Sequence, residues 1–442
     1  MDAPGTLPAP RCRRARGGPC CATIAVRVEV ATPILGGSSQ TRAVDEIDVI
    51  RPVTVRGHLR FWWRALHGDQ FSTPGDLYAA ESALWGRAAS DGAGRSPVEV
   101  RVDVDRRGGI DEEPIRLYGA HATPGAYALW PAREQAKDRV PTAPRRLPGT
   151  RFTLTLLVPE ARATEVRHAV HAWLLFGGYG SRTRRGVGSF RVVGDADAWL
   201  PTQPTREAFA ALFGRDVFAP PSRPASDTPW LAGAALHIGA AHRDACGAWT
   251  TALDWLKDFR QGTRGGPGER AREPGDGKPQ PARPSVSNWP EADKIRHLRG
   301  KTKAHPPRHN ARPAWPRAGF GLPIVGQFQD KARDGGRLVE PGPFELRWRA
   351  GPDDHDRLAS PLIVKALPLA DDTFVPCALW LHRAYPPGEV ILQGTAGSGA
   401  AFDLCVAPGD KPLFSALAGK GTLRTAFLAW LCARHQATVV AP

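Results

Sequence analysis

Between Phe176 and Phe190 the chain reads FGGYGSRTRRGVGSF, with five glycines (Gly177, Gly178, Gly180, Gly186, Gly188) and three arginines (Arg182, Arg184, Arg185). Glycine admits positive φ, so successive amide N–H groups can turn towards one anion. Arginine adds planar forks that match phosphate oxygens two at a time. Tyr179, Ser181 and Thr183 are interleaved, and a tyrosine ring offers a surface on which a base can stack. The stretch is therefore a candidate for holding a nucleic-acid backbone. A solvated, flexible turn is the other reading.

A second cluster lies in RPVTVRGHLRFWWRAL, residues 51–66. Arg56, Arg60 and Arg64 are spaced four apart and so share one face of a helix, opposite an apolar stripe of Leu59, Trp62, Trp63 and Leu66. Three like charges at that spacing disfavour an isolated helix, and a bound anion offsets the cost. His58, beside these arginines, could contact RNA or serve as a general base on a 2′-hydroxyl; the alternative is a structural imidazole. Trp62, Trp63 and Trp173 fall on apolar stripes and are expected in the core.

Other chemistry-bearing groups are sparse. His168 and His171 are spaced i, i+3 but lack an evident third metal ligand. Asp353, Asp354, His355 and Asp356 could hold a hard cation or form an exposed acidic turn. His305 and His309 lie among Lys301, Lys303 and Arg308, a setting that opposes a metal and suits phosphate. No catalytic residue, metal or cofactor is assigned.

The 442-residue chain carries a formal net charge of +15 and has a pI near 10.0, which favours a polyanionic partner. The charge is uneven: residues 260–317 hold 14 Arg/Lys against 5 Asp/Glu. The seven cysteines show no C-x-x-C spacing, so structural zinc and a disulfide framework are not expected and reduced cytoplasmic thiols are. No apolar run approaches the roughly 18 residues of a membrane span. Residues 1–22 are basic and Pro-rich and read as a disordered tail without a secretory h-region.

The elements that must position these groups follow from periodicity. Alternation predicts strands at Thr23–Ala31, Val98–Val104, Arg151–Val158 and Ser189–Val193. The 3.6-residue period predicts helices at Gly57–His67 and Thr164–Phe176. The order is β-α-β-β-α-β, a ferredoxin-like unit over residues 23–194, with the Gly/Arg loop joining its second helix to its last strand. Residues 195–229 read as a Pro-rich linker with a small helix near Arg206–Phe213. The remainder, 230–442, starts again with a strand at Leu236–Ala241 and a helix at Trp249–Phe259. A basic insertion at about 263–317 is expected to be partly disordered. Strands follow at Phe320–Phe328, Phe344–Arg349, Pro361–Leu369, Ala378–His382 and Val390–Leu392, then a helix over Leu413–His435 broken near Gly419–Gly421. The fold class expected is α+β: two tandem ferredoxin-like (RRM-like) domains with loop insertions.

Several blocks together resemble the RAMP superfamily of CRISPR proteins, and within it the first RAMP subunit of type III-B Cmr effector complexes. They are TPILGG at 32–37, IRPVTVRGHLRFWWRAL at 50–66, GGYGSRTRRGVGSF at 177–190, FRQG at 259–262, SNWPEADKIR at 287–296, GFGLPI at 319–324 and RLASPLIVKAL at 357–367. Each is weak alone; their order is specific. His58 departs from an expected apolar residue, and residues 263–286 are longer and richer in Pro and Gly than usual. The resemblance implies a cytoplasmic, non-catalytic RNA-binding subunit in antiviral defence, near the 3′ end of the guide (CRISPR) RNA. Its implied partners are guide RNA, single-stranded target RNA, other RAMP subunits and the large polymerase-like subunit. On that reading Arg56, His58, Arg60, Arg64 and the Gly177–Gly188 loop face RNA, with Lys294, Arg296, Arg317 and Lys365 as second-rank contacts. Two rivals are a metal-independent endoribonuclease processing guide RNA through His58, and a protein-interaction scaffold without RNA contact.

Overall fold

The computed structural model describes residues 21–87, 94–117, 121–261, 288–303, 307–328, 333–334, 337–355 and 357–442. Most of the basic tail, the 263–286 stretch, His305 and Asp356 lie outside the described residues.

The first sheet is built from β1 (Cys21–Val30), β2 (Glu99–Arg106), β3 (Arg151–Pro159) and β4 (Phe190–Val192), ordered β2-β3-β1-β4. Every neighbouring pair is antiparallel. Alternation sends Ile24, Val26 and Val28 of β1 inward with Phe152, Leu154, Leu156 and Val158 of β3. Between the strands run α1 (Pro52–His67), α2 (Pro74–Trp85) and α3 (Ala163–Phe176). Helix α1 begins before the predicted Gly57 because Pro52 sits in its first turn, where its fixed φ suits a helix and its missing N–H costs nothing. The stripe of Leu59, Trp62, Trp63 and Leu66 joins Val166, Val170 and Trp173 of α3 in one core.

The second sheet is assembled from β5 (Trp230–Ile238), β6 (Leu362–Pro368), β7 (Phe374–His382) and β8 (Thr438–Ala441), ordered β6-β7-β5-β8 and again antiparallel throughout. Helix α4 (Ala245–Gln261) follows β5, and α6 (Leu423–His435) precedes β8. Both faces of this sheet are covered, so β6 is buried along its whole length and β7 at all but its last residue, as expected of a sheet packed on two sides. One face carries Leu236, Leu367 and Leu379 into the core of the first half. The other packs Val364, Ala378 and Trp380 against Trp249 and Phe427 of α4 and α6. The first half's helices thus lie between two sheets.

One expectation gains detail here and another changes. Within the 263–317 stretch, expected to be partly disordered, residues 288–303 and 307–317 fold around α5 (Glu291–Leu298). Ile295 and Trp315 are fully buried with Leu346 and Leu392 of a side sheet. The last helix starts only at Leu423, where the Thr422 hydroxyl accepts a 3.1 Å bond from the Thr425 N–H, a helix N-cap.

Candidate nucleic-acid interface

The Gly/Arg loop is a buried clasp, which corrects the expectation of an anion cradle. Several of its N–H groups are spent inside the protein: Tyr179 donates to Gly188 O (3.0 Å), Ser181 to Leu35 O (2.7 Å), Gly186 to Thr183 O (3.0 Å) and Gly188 to Pro33 O (2.9 Å). Gly177 caps α3 by donating to Trp173 O (2.9 Å). The glycines answer to close approach. A Cβ on Gly188 (φ 71°) would lie 2.0 Å from Tyr179 O, and one on Gly178 would lie 2.9 Å from Val187 O. Gly180 (φ 93°) meets Leu35 O in the same way. Tyr179 is buried, and its hydroxyl accepts a 2.8 Å bond from the Arg51 N–H, so it offers no stacking face. Ser181 and Arg182 are exposed and Thr183 is half-buried.

The loop's two inner arginines bind the second half. Arg185 donates to Leu362 O (2.9 Å) and Phe320 O (3.3 Å); burial, reinforced by Arg260, pushes its guanidinium down to about 9. Arg184 donates to Ser360 O and lies 5.4 Å over the Phe61 ring; burial beside Arg383 brings it to about 10.

On α1 the three arginines share a face, as their spacing predicts, but two are already paired. Arg60 Nε and Arg64 Nη1 each lie 2.6 Å from Glu81 Oε1, a buried carboxylate on α2. Arg56 donates to Val98 O at 3.3 Å. His58 points inward: its ring lies 6.2 Å from Trp173 and 6.0 Å from Tyr179, and its Nε2 is buried without a partner among the described residues. Burial pushes it down to about 4, so the imidazole is neutral near pH 7.

The second-rank contacts are also corrected. Lys294 is buried, donating to Asn310 O at 2.8 Å and paired with Asp410. Arg296 makes a fork to Glu340 (2.9 and 2.8 Å) and an ion pair to Asp293 (2.9 Å). Lys365 is fully buried and donates to Gly177 O (2.7 Å) and Leu174 O (3.4 Å). Charges so enclosed are out of reach of a phosphate. Arg317 is half-buried, 3.1 Å from Glu291. His309, expected near phosphate, is buried 3.1 Å from Asp293. Asp354 pairs with Arg349 at 2.7 Å. Among the described residues no group of three or more His, Cys, Asp or Glu could hold a metal, and no helix is long and apolar enough to cross a membrane.

What remains open is a cleft of about 290 Å³ at the seam between the two halves, lined by Phe61, Arg64, Arg184, Asp227, Thr228, Pro229, Ala359 and Arg383. Arg383 donates to Ala359 O at 3.1 Å, which aims its guanidinium along the rim. Three arginines and one aspartate line this cleft; Arg64 also pairs with Glu81 and Arg184 donates to Ser360 O, and the N–H groups of these forks not engaged there can meet a phosphodiester. Arg64 and Arg184 come from the two sequence clusters; Arg383 and Asp227 were not expected, since neither lies in a patterned block.

The RAMP superfamily model matches residues 27–191, from within β1 to within β4; the resemblance read from the sequence blocks holds over that segment. No curated protein matches by sequence. Among solved structures the chain is similar to apo Cmr1 from Pyrococcus furiosus: 14% identity over 95% of this chain and 98% of that one, TM-score 0.49. It is also similar to a chain of type III-B Cmr-beta bound to cognate target RNA and AMPPnP in the presence of ssDNA, at 11% identity, 81% and 94% coverage and TM-score 0.43. A chain of Cmr-beta bound to cognate target RNA gives 10% identity, 82% and 94% coverage and TM-score 0.42.

Proposed function

We propose that this chain is a non-catalytic RNA-binding subunit of a cytoplasmic type III-B CRISPR (Cmr) effector, with guide RNA, single-stranded target RNA and the other effector subunits as partners. The observation that carries the reading is the seam cleft, where Arg64, Arg184 and Arg383 converge. The RAMP match over 27–191 supports it, as does the surplus of positive charge. The two β-α-β-β-α-β sheets support reading residues 23–194 and 230–442 as tandem ferredoxin-like domains joined by 195–229. Placement near the guide 3′ end follows from the family resemblance.

The reading assigns no bond cleavage to this chain, consistent with the enclosure of His58 against Trp173 and Tyr179. Specific RNA cleavage in EDTA that disappears in His58→Ala overturns that part. The RNA reading is tested by fluorescence anisotropy with a labelled single-stranded RNA over a salt series. Arg64→Gln combined with Arg383→Gln should weaken binding at least tenfold and flatten the log–log salt dependence by about 1.4, roughly 0.7 for each phosphate no longer neutralised. An unchanged affinity and slope, with an unchanged melting curve, refutes it.

A further inference from the structure

Gly57 lies in the middle of α1, on its exposed side. Glycine is unfavourable there, since it weakens a helix interior relative to alanine, and the fold supplies neither of the usual compensations. The backbone at Gly57 is ordinary α-helix, which any residue adopts. A Cβ on it would meet no heavy atom within 4 Å among the described residues, whereas one on Gly177 would lie 2.7 Å from Trp62 Nε1 of the same helix. The space above Gly57 is therefore open, and nothing in the described chain requires it.

The neighbours of Gly57 define what can use that space. At roughly 100° per residue, Val53, Gly57, Phe61 and Arg64 fall along one line of the helix, with Arg60 beside it and Arg56 further round. Phe61 and Arg64 are the residues that α1 gives to the seam cleft. Gly57 continues that floor, roughly 10 Å before Arg64 along the axis. The charge continues with it. Arg60 and Arg64 share one carboxylate, Glu81, which is itself 3% exposed. Arg56 donates to Val98 O and is in no ion pair among the described residues, and the first turn of α1 holds no acidic residue. Arg184, from the Gly/Arg loop, stands over the Phe61 ring.

We propose that an RNA strand leaving the seam cleft crosses α1 at Gly57, the inference resting on the RNA-binding reading above. Its sugar–phosphate backbone lies against the bare helix, and successive phosphates meet the Arg60 and Arg56 guanidiniums. Arginines four residues apart are separated by about 6 Å along the axis, close to the step between neighbouring phosphates of a strand. Glycine suits such a crossing because a missing side chain lets another backbone approach closely. Val53, 76% exposed one turn before Gly57, gives the strand an apolar contact on its way out. A protein partner fits this face less well. It would bury arginines whose one carboxylate is already shared, at a desolvation cost, whereas a polyanion neutralises them.

The test measures the full chain's affinity for a labelled oligouridylate beside its denaturation midpoint. Gly57→Ala should raise the midpoint, since alanine favours a helix, yet weaken binding about threefold. Gly57→Leu, also a helix former and unobstructed at its Cβ, should weaken binding about tenfold without lowering the midpoint. Arg56→Gln should lower the log–log salt slope by about 0.7. A glycine with no part in binding predicts a higher midpoint and unchanged affinity. In the wild type, RNA should protect Val53 from hydroxyl-radical oxidation mapped by mass spectrometry, which needs no variant to fold. Unchanged affinity in folded Gly57→Leu, or an unprotected Val53, overturns this inference alone. A Gly57→Leu chain that binds RNA normally but no longer joins other effector subunits does the same and makes the face a protein contact. No RNA binding by the wild type overturns the function proposed above as well.

Discussion

Lys365 donates a 2.7 Å hydrogen bond to the carbonyl of Gly177, 188 residues earlier in the chain. The ammonium sits at the C-terminus of α3, where unpaired carbonyls favour a cation, and it ties β6 to the start of the Gly/Arg loop. Burial pushes Lys365 down to about 7 from the usual 10.5.

That shift sets a pH dependence. Between about pH 7 and 10.5 the unfolded chain binds a proton that the folded chain does not, so stability rises with pH across that window. The stability linked to Lys365 is complete above 10.5 and lost as pH falls through 7. Denaturant unfolding of the wild type should gain about 2 kcal/mol from pH 7 to 9. Lys365→Met should flatten that rise; an equal rise in the variant refutes the assignment.

Gly186 closes the same junction. Its φ is 74°, and a Cβ would lie 2.5 Å from the Trp249 ring and 2.9 Å from Lys365 Cα. Gly186→Ala therefore combines a left-handed conformation unfavourable to alanine with a clash against the second half. It should cost at least about 2 kcal/mol by chemical denaturation, whereas Gly194→Ala (φ 95°, open space around the Cβ) should cost only the conformational part.

The contrast between these halves shows what was legible. Helix α3 and strands β1, β2 and β3 were readable to within a few residues, because each buries one face and the alternation or 3.6-residue period survives in the sequence. The Arg56/Arg60/Arg64 stripe was readable too; its partner was not. Glu81 lies on α2, whose start is marked by Thr73 accepting from the Asp76 N–H, a cap passed over in the sequence. Lys365 looked like a surface cation, yet its setting, PLIVKAL, is apolar on both sides. That continuous run signalled a strand covered on two faces. Lys294 and Arg296 flank the fully buried Ile295; Asp293, an i,i+3 partner of Arg296, was within local reach, but the carboxylates of Asp410 and Glu340 come from far along the chain. The loop composition was read correctly and its use misread: glycines that permit tight chain crossing have the same signature as glycines that cradle an anion.

Acid should weaken the protein through histidines that are neutral when folded. Burial holds His58, His67 and His237 near 4 and His171 near 3. Each binds a proton in the unfolded state below about 6.5, so their linked stability is complete above that pH and falls as pH drops towards 4. Burial dominates at His171, and the Leu212 backbone offsets only part of it. His171→Phe should leave stability at pH 7 within about 1.5 kcal/mol and shallow the loss between pH 6.5 and 4. A loss as steep as the wild type's refutes a titrating His171.

Arg182 supplies the most discriminating variant in the loop. It is exposed and holds φ 61° without being glycine, a conformation costing about 1–2 kcal/mol for an ordinary residue. Residues kept in such conformations concentrate where function requires the side chain. Arg182→Gly relieves the strain but adds roughly 0.5–1 kcal/mol of chain entropy to the unfolded state, so stability should hold or rise by up to about 1.5 kcal/mol. Arg182→Gln keeps the strain and should leave stability within about 0.5 kcal/mol. If Arg182 touches a phosphate, both variants lose RNA affinity equally, and each lowers the salt slope by about 0.7. Arg185→Gln, three residues on, should instead lower stability by about 1–3 kcal/mol, because it withdraws the guanidinium from Leu362 O and Phe320 O. RNA binding unchanged in both Arg182 variants would remove Arg182 from the interface and leave the seam cleft as the site of phosphate contact.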